Sequence, residues 1–590
     1  MTFSSQFLAS LALGTLFALV GCAQQPETPE QDPAQTPQES SEPAEEPEQT
    51  AKEAEPEPEP PTRPFTSETL YALLAAELAG SRQRFDIALS NYIQQAHQTR
   101  DPQVAARATH IARFMEADNA ILDAALLWVD VDPDNTEAQL NAALALVQSG
   151  RLQEAFELSR KLQEKGEHTL FQNIAASAGE ATDTQREQLL EGFQTLLETH
   201  PEHRELLIGT GLLLQQQGRY QEALHYSQRA REHHPGNVAA TILEAALLNQ
   251  LDRSDEALKL IVQALEEQPE SLRLRLQYAR LLTQHDLALA QEQFEVLVQQ
   301  EPNDPDLHLS LGIVALERGD RDTAQESFET LLDSGHHAST AHFYLGQLAE
   351  NRGESEDALL HYLQVEPGSD FFQATLNILD IFLDRGDTAA AHDHMNRLRT
   401  RFPDRAADLY LLEARSLQQK GFDDEAMSTM NQALEAHPTH SDLRYSRAML
   451  HDQRGNLEAT ERDLRALLKY DPNNATALNA LGYILADRTD RYNEAYELIR
   501  QALALEPEEP AILDSMGWIL YRMNEPEEAL PYLEKAFEAY PDQEIAAHLG
   551  EVLWRLGKKE RAREVWEQGL DEDPDSELIP KTMRRLEANP

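Results

Sequence analysis

Cysteine is nearly absent: Cys22 is the only one in 590 residues, which excludes a disulfide framework and a cysteine-ligated zinc site. Positive charge is scarce as well. Fifty Lys and Arg stand against 103 Asp and Glu, for a formal net charge of −53. Such a surface repels phosphate backbones and anionic lipid, so nucleic acid is not an expected partner. The acidity has two readings, a solvated self-repelling surface or the steering of a basic partner. Aromatics make up only 6% of the chain, and the Ala/Leu/Glu/Gln-rich remainder suits stacked helices better than β-sandwiches. An all-α chain is expected.

Signatures of catalysis are also missing. The sequence has no HExxH, GxSxG or P-loop, and its carboxylate pairs are too numerous for any one to be singled out as acid and base. Histidines pair at His233–His234, His336–His337 and His392/His394, but neighbours on a helix face different ways, so helix-surface histidine is the ordinary reading. No enzyme activity, metal or cofactor is expected.

One long apolar run occurs. Phe7 to Val20 spans about 14 residues, short of the roughly 20 that a membrane-spanning helix needs, and it reads as a secretion signal over residues 1–21. The preceding MTFSSQ carries no Lys or Arg, a departure from the usual positive start of a signal peptide. Leu19-Val20-Gly21-Cys22 resembles a bacterial lipobox, which implies lipidation of Cys22. By the same resemblance, Ala23 in place of an aspartate implies the outer membrane, with the chain facing the periplasm. Residues 22–64 are crowded with Pro and Glu. Lacking large apolar residues, they cannot fold alone, and stiffness with self-repulsion gives a tether reaching on the order of 100 Å.

Beyond the tether the prolines keep time. Pro201, Pro235, Pro269 and Pro302, then Pro403, Pro438, Pro472, Pro507, Pro541 and Pro574, recur every 33 to 35 residues. About twelve residues before most of them stands an alanine, as at Ala223, Ala257, Ala290, Ala391, Ala426, Ala495, Ala529 and Ala562; Ala155, Ala324 and Ala358 share the phase. A second small residue lies near the start of the units, as at Gly211, Gly312, Gly346, Ala414, Ala448, Gly482, Gly517 and Gly550. Two small sites per unit imply two helices in close approach. A glycine such as Gly319 or Gly557 falls between them, where a helix C-cap needs positive φ.

This pattern resembles the tetratricopeptide repeat. The likeness is clearest in Leu481-Gly482-Tyr483 with Ala495 and Ala502, in Gly517-Trp518 with Tyr521, Ala529 and Ala536, and in Leu549-Gly550 with Ala562 and Trp566. It implies an α-solenoid superhelix of about 14 helix-turn-helix units over residues 65–574, closed by a capping helix within 575–590. Leu189 and Thr460 replace the expected alanine, and the unit ending at Pro367 is about three residues short. Irregular N-terminal units leave apolar faces that a second copy would cover.

Arrays of this kind bind proteins on the surface lined by each first helix. Counting from the packing glycines, the inward candidates are Asn479, Tyr483 and Asp487; Asp514, Trp518, Tyr521 and Arg522; and Glu544, Glu551, Trp554 and Arg555. Aromatics beside charges suit a binding hot spot, while Trp518 and Tyr521 also have the alternative of packing between repeats. Lipobox, acidic tether and repeat array together resemble a family of outer-membrane lipoproteins that serve as adaptors. That resemblance implies recruitment of a periplasmic carboxyl-terminal processing protease and its peptidoglycan-hydrolase substrates. The alternative is an assembly factor for a pilus, secretin or other envelope complex.

Overall fold

The computed structural model describes residues 65–572, 574 and 577–588; Cys22, the signal segment and the Pro/Glu-rich tether lie outside them. Within this range the chain forms fifteen antiparallel helix pairs followed by a single helix, and no strand occurs among the described residues. In most pairs the two helices contact each other more heavily than they contact the following pair; Phe171–Ser177 is an exception, packing mainly on Arg204–Gln216 of the next pair. The architecture is an all-α solenoid. The helices fall into two compact units that meet at the His336–His337 step, eight pairs before it and seven pairs plus the single helix after it.

The small residues do what their spacing predicts. Ala155, Ala223, Ala257, Ala290, Ala324, Ala358, Ala391, Ala426, Ala495, Ala529 and Ala562 are all fully buried. Opposite them, Gly312, Gly346, Gly482, Gly517 and Gly550 of the first helices each receive a large side chain from the second. A Cβ on Gly312 would stand 2.7 Å from the Phe328 ring, one on Gly346 2.5 Å from Tyr362, and one on Gly482 2.5 Å from Ile499 Cγ1. Removing one methyl group per pair lets a ring or branched chain cross the helix axis and fill the core. Between the two helices Gly319 takes φ +88° and Gly557 +77°; Asn524 takes φ +65° at the equivalent turn, since asparagine tolerates the left-handed region best after glycine.

Departures from the pattern are local. Leu189 is buried in a pair whose first helix, Phe171–Ser177, has only seven residues, and there Phe156 stacks on Phe193 at 5.6 Å while Phe171 meets Phe193 edge-on at 5.5 Å. Thr460 keeps its alanine-sized place by donating its hydroxyl to the Asn456 carbonyl at 3.0 Å. The short unit before Pro367 has a second helix of eight residues, Ser355–Tyr362. At the start of the described chain, Leu70, Tyr71, Leu74 and Leu78 of the helix Ser67–Gly80 remain exposed. No described helix is long and apolar enough to cross a membrane.

Candidate partner-binding groove

The second unit ends in seven helices, numbered here α1 (Ala475–Arg488), α2 (Tyr492–Leu505), α3 (Pro510–Arg522), α4 (Pro526–Ala539), α5 (Gln543–Arg555), α6 (Lys559–Glu572) and α7 (Leu578–Ala588). Each first helix has a defined start. Asn474 caps α1 by accepting from the Ala477 N–H at 2.9 Å, Pro510 opens α3 where no N–H is needed, and Asp542 caps α5 by accepting from the Glu544 N–H at 2.7 Å. With the registers fixed, residues four and seven apart share a face. That spacing aligns Asn479, Tyr483 and Asp487 on α1, Asp514, Trp518 and Tyr521 on α3, and Glu544, His548 and Glu551 on α5.

These faces, with α7, enclose a groove of about 1130 Å³. Of the eleven residues expected to face a partner, Asn479, Tyr483, Asp487, Asp514, Trp518, Glu544 and Glu551 line it. Tyr521 and Arg522 stand just behind the lining. The Tyr521 hydroxyl donates to Glu551 at 3.1 Å, while Arg522 donates to the Asp487 carbonyl at 3.1 Å and to the Tyr492 hydroxyl at 3.0 Å. Trp554 and Arg555 correct the expectation, for neither lines the groove. Trp554 lies one turn beyond Gly550, on the face turned to α6, so it packs against Trp566 at 5.7 Å with Lys559 over its ring at 4.5 Å. Arg555 is exposed at the end of α5.

The floor is a polar network that the sequence reading did not find. His548 is buried and lies flat on Trp518, with ring centroids 4.0 Å apart, and its Nδ1 stands 2.9 Å from Asp514 Oδ2. Trp518 also meets Tyr521, with ring centroids 5.4 Å apart. Trp518 packs between neighbouring pairs and at the same time forms part of the groove wall. Burial disfavours a charged His548, but the surrounding carboxylates Asp514, Glu544 and Glu551 outweigh it and raise the pKa above the usual histidine value. Tyr483 donates to Glu544, and burial with that carboxylate raises its phenol pKa. Burial and Glu551 push the Tyr521 phenol up to about 12.

The far wall comes from the last helix. Arg585 of α7 reaches back to Glu551, donating to Oε1 at 2.9 Å and also to Oε2, and Leu578, Lys581 and Thr582 complete that side. His548 was legible in principle, being four residues from Glu544 on the face already counted. Arg585 carried no signal, because a helix read as a cap has no assigned inward face.

Comparison with known proteins agrees with the helix pairing. One tetratricopeptide repeat model matches residues 111–167, 309–370, 376–441, 445–510 and 515–577, and a second matches 214–281. The chain belongs to the tetratricopeptide repeat family. It is 43% identical to the TPR repeat-containing protein PA4667 of Pseudomonas aeruginosa over 485 residues, 82% of each chain. A shorter likeness links 24% of this chain to 56% of the type IV pilus assembly protein PilF of the same organism, at 28% identity. Among solved structures, the Cut9–Hcn1 hetero-tetramer of the APC/C aligns with 82% of this chain and 97% of its own, at 14% identity and a TM-score of 0.30. In tetratricopeptide terms, the groove is built from four consecutive first helices, the earliest being Ser441–Gln453 with Tyr445, Met449 and Asp452, and a terminal helix, α7, that takes the place of the next one. As a member of the family, the chain is a protein-binding scaffold.

Proposed function

We propose that this chain is an outer-membrane-anchored periplasmic adaptor, held by lipid on Cys22, which gathers a carboxyl-terminal processing protease and its peptidoglycan-hydrolase substrates and catalyses nothing itself. The groove between α1, α3, α5 and α7 carries the binding half of this reading. It joins aromatic rings to fixed charges, the composition of a hot spot, in a concave wall large enough for a partner segment. The partner classes and the location rest on the layout of lipobox, acidic tether and repeat array.

The test is affinity purification of a tagged full chain from detergent-solubilised envelopes, beside a Cys22→Ser control, with bound proteins identified by mass spectrometry. Recovery of a processing protease together with wall hydrolases is the expected result. The partial likeness to PilF favours a second reading, assembly of an envelope complex. Recovery of pilus or secretin subunits in place of the protease would replace the first reading with the second. Hydrolysis of purified peptidoglycan by the chain alone would overturn both.

A further inference from the structure

The groove is unevenly charged, and the imbalance is not settled within the protein. Its lining holds seven carboxylates against three fixed cations. Two of those cations are engaged, Arg488 with Asp452 at 2.9 Å and Arg585 with Glu551. Glu509, Asp542 and Glu544 have no cationic side chain within ion-pair distance among the described residues. Beside them in the lining stands Tyr540, 61% exposed and the most open large aromatic of the second unit.

Two buried polar atoms of the same lining also lack partners. The indole N–H of Trp518 has no acceptor, although the residue is only 7% exposed, and Oδ1 of Asn479 has no donor, while its amide N–H reaches the Ala511 carbonyl at 3.4 Å.

We infer that the groove takes an extended segment of a partner protein bearing a lysine or arginine, whose cation is met by Glu509, Asp542 and Glu544 beside the Tyr540 ring. A carboxylate set next to an open aromatic face favours such a cation over any anion. The same field repels acidic segments, including the chain's own Pro/Glu-rich residues 24–63, which hold only Lys52 and Arg63 as cations. Charge is the selective element of the site. The inference rests on the scaffold reading and specifies the chemistry of one of its surfaces.

The experiment probes the detergent-solubilised full chain with an array of end-blocked ten-residue peptides of randomised sequence. Binding of the best sequences is then measured in solution by fluorescence anisotropy. Enrichment of Lys or Arg among the binders is expected, with weakening as salt rises. The isosteric triple variant Glu509→Gln, Asp542→Asn and Glu544→Gln retains the α5 cap and should weaken the best peptides by about tenfold. Binders rich in Asp or Glu, binders without charge preference, an unaffected triple variant, or no binder at all would each overturn the inference. The envelope purification keeps the two ideas apart. Partners recovered equally by wild type and triple variant sink the groove assignment alone, whereas a wild type that recovers no partner sinks the scaffold reading.

Discussion

His548 lies on the face of Trp518, ring planes 18° apart, while its Nδ1 holds Asp514 at 2.9 Å, so one imidazole joins α5 to α3 by stacking and by charge. The His548 pKa is raised in the folded chain, and the sign of its contribution follows. Stability from the protonated form is fully present below the ordinary histidine value of about 6.5 and is lost as pH rises through the elevated folded value. Wild type should therefore exceed His548→Gln in Tm by the widest margin near pH 6, and the margin should shrink toward pH 9. Calorimetry of both proteins across that range checks this; a constant margin contradicts it.

Glu413 is fully buried between Arg399, which donates to it at 2.6 Å, and His392 at 2.8 Å. Arg399 is itself buried, its guanidinium 4.0 Å over the Tyr410 ring. Replacing Glu413 with Ala strands that cation. A loss of about 3–5 kcal/mol is expected, as for other buried pairs broken on one side. Urea unfolding followed by circular dichroism measures it, and a loss under about 1 kcal/mol would mean that Arg399 finds water instead.

Gly482→Ala places a methyl 2.5 Å from Ile499 Cγ1 and 3.0 Å from the Ala495 carbonyl oxygen. Ile499 can turn, but a backbone oxygen cannot, so α1 and α2 must separate. Overpacking of this kind costs about 1–3 kcal/mol. An unchanged urea midpoint for Gly482→Ala would show that the pair absorbs the methyl without moving.

Deleting residues 578–590 removes Ile579, which is fully buried against the α5 and α6 core, and strips Glu551 of Arg585. Arg585 is largely exposed, so the ion pair accounts for little of the loss, about 1 kcal/mol or less. The uncovered apolar surface accounts for roughly 2–3 kcal/mol more. Hydrogen exchange should show faster exchange in α5 and α6, with helices before residue 440 unaffected.

Much of this was written in one dimension. The 33-to-35-residue beat of the prolines and the alanine twelve residues before most of them are consequences of a unit that repeats its own packing, so Ala495 and Gly482 could be placed in a core without coordinates. Seven of the eleven residues expected to face a partner line the groove because a helical face can be counted. Trp554 defeated the count. It shares a face with Gly550, and a face that holds a packing glycine belongs to the partner helix rather than to the groove.

The sequence by itself determined the repeat, the helix pairing and the sign of the surface, since each depends on local periodicity and composition. The tertiary structure alone decided which charges of the groove are settled. Asp514 finds His548 thirty-four residues away, and Glu551 finds Arg585 at the same separation, each one repeat on. No such partner reaches Glu509, Asp542 or Glu544 among the described residues. Whether one of these groove carboxylates is neutralised depends on what the next repeat brings within about 4 Å, where charge–charge interactions outweigh screening. That distance is set by stacking between repeats, which periodicity along one helix does not encode.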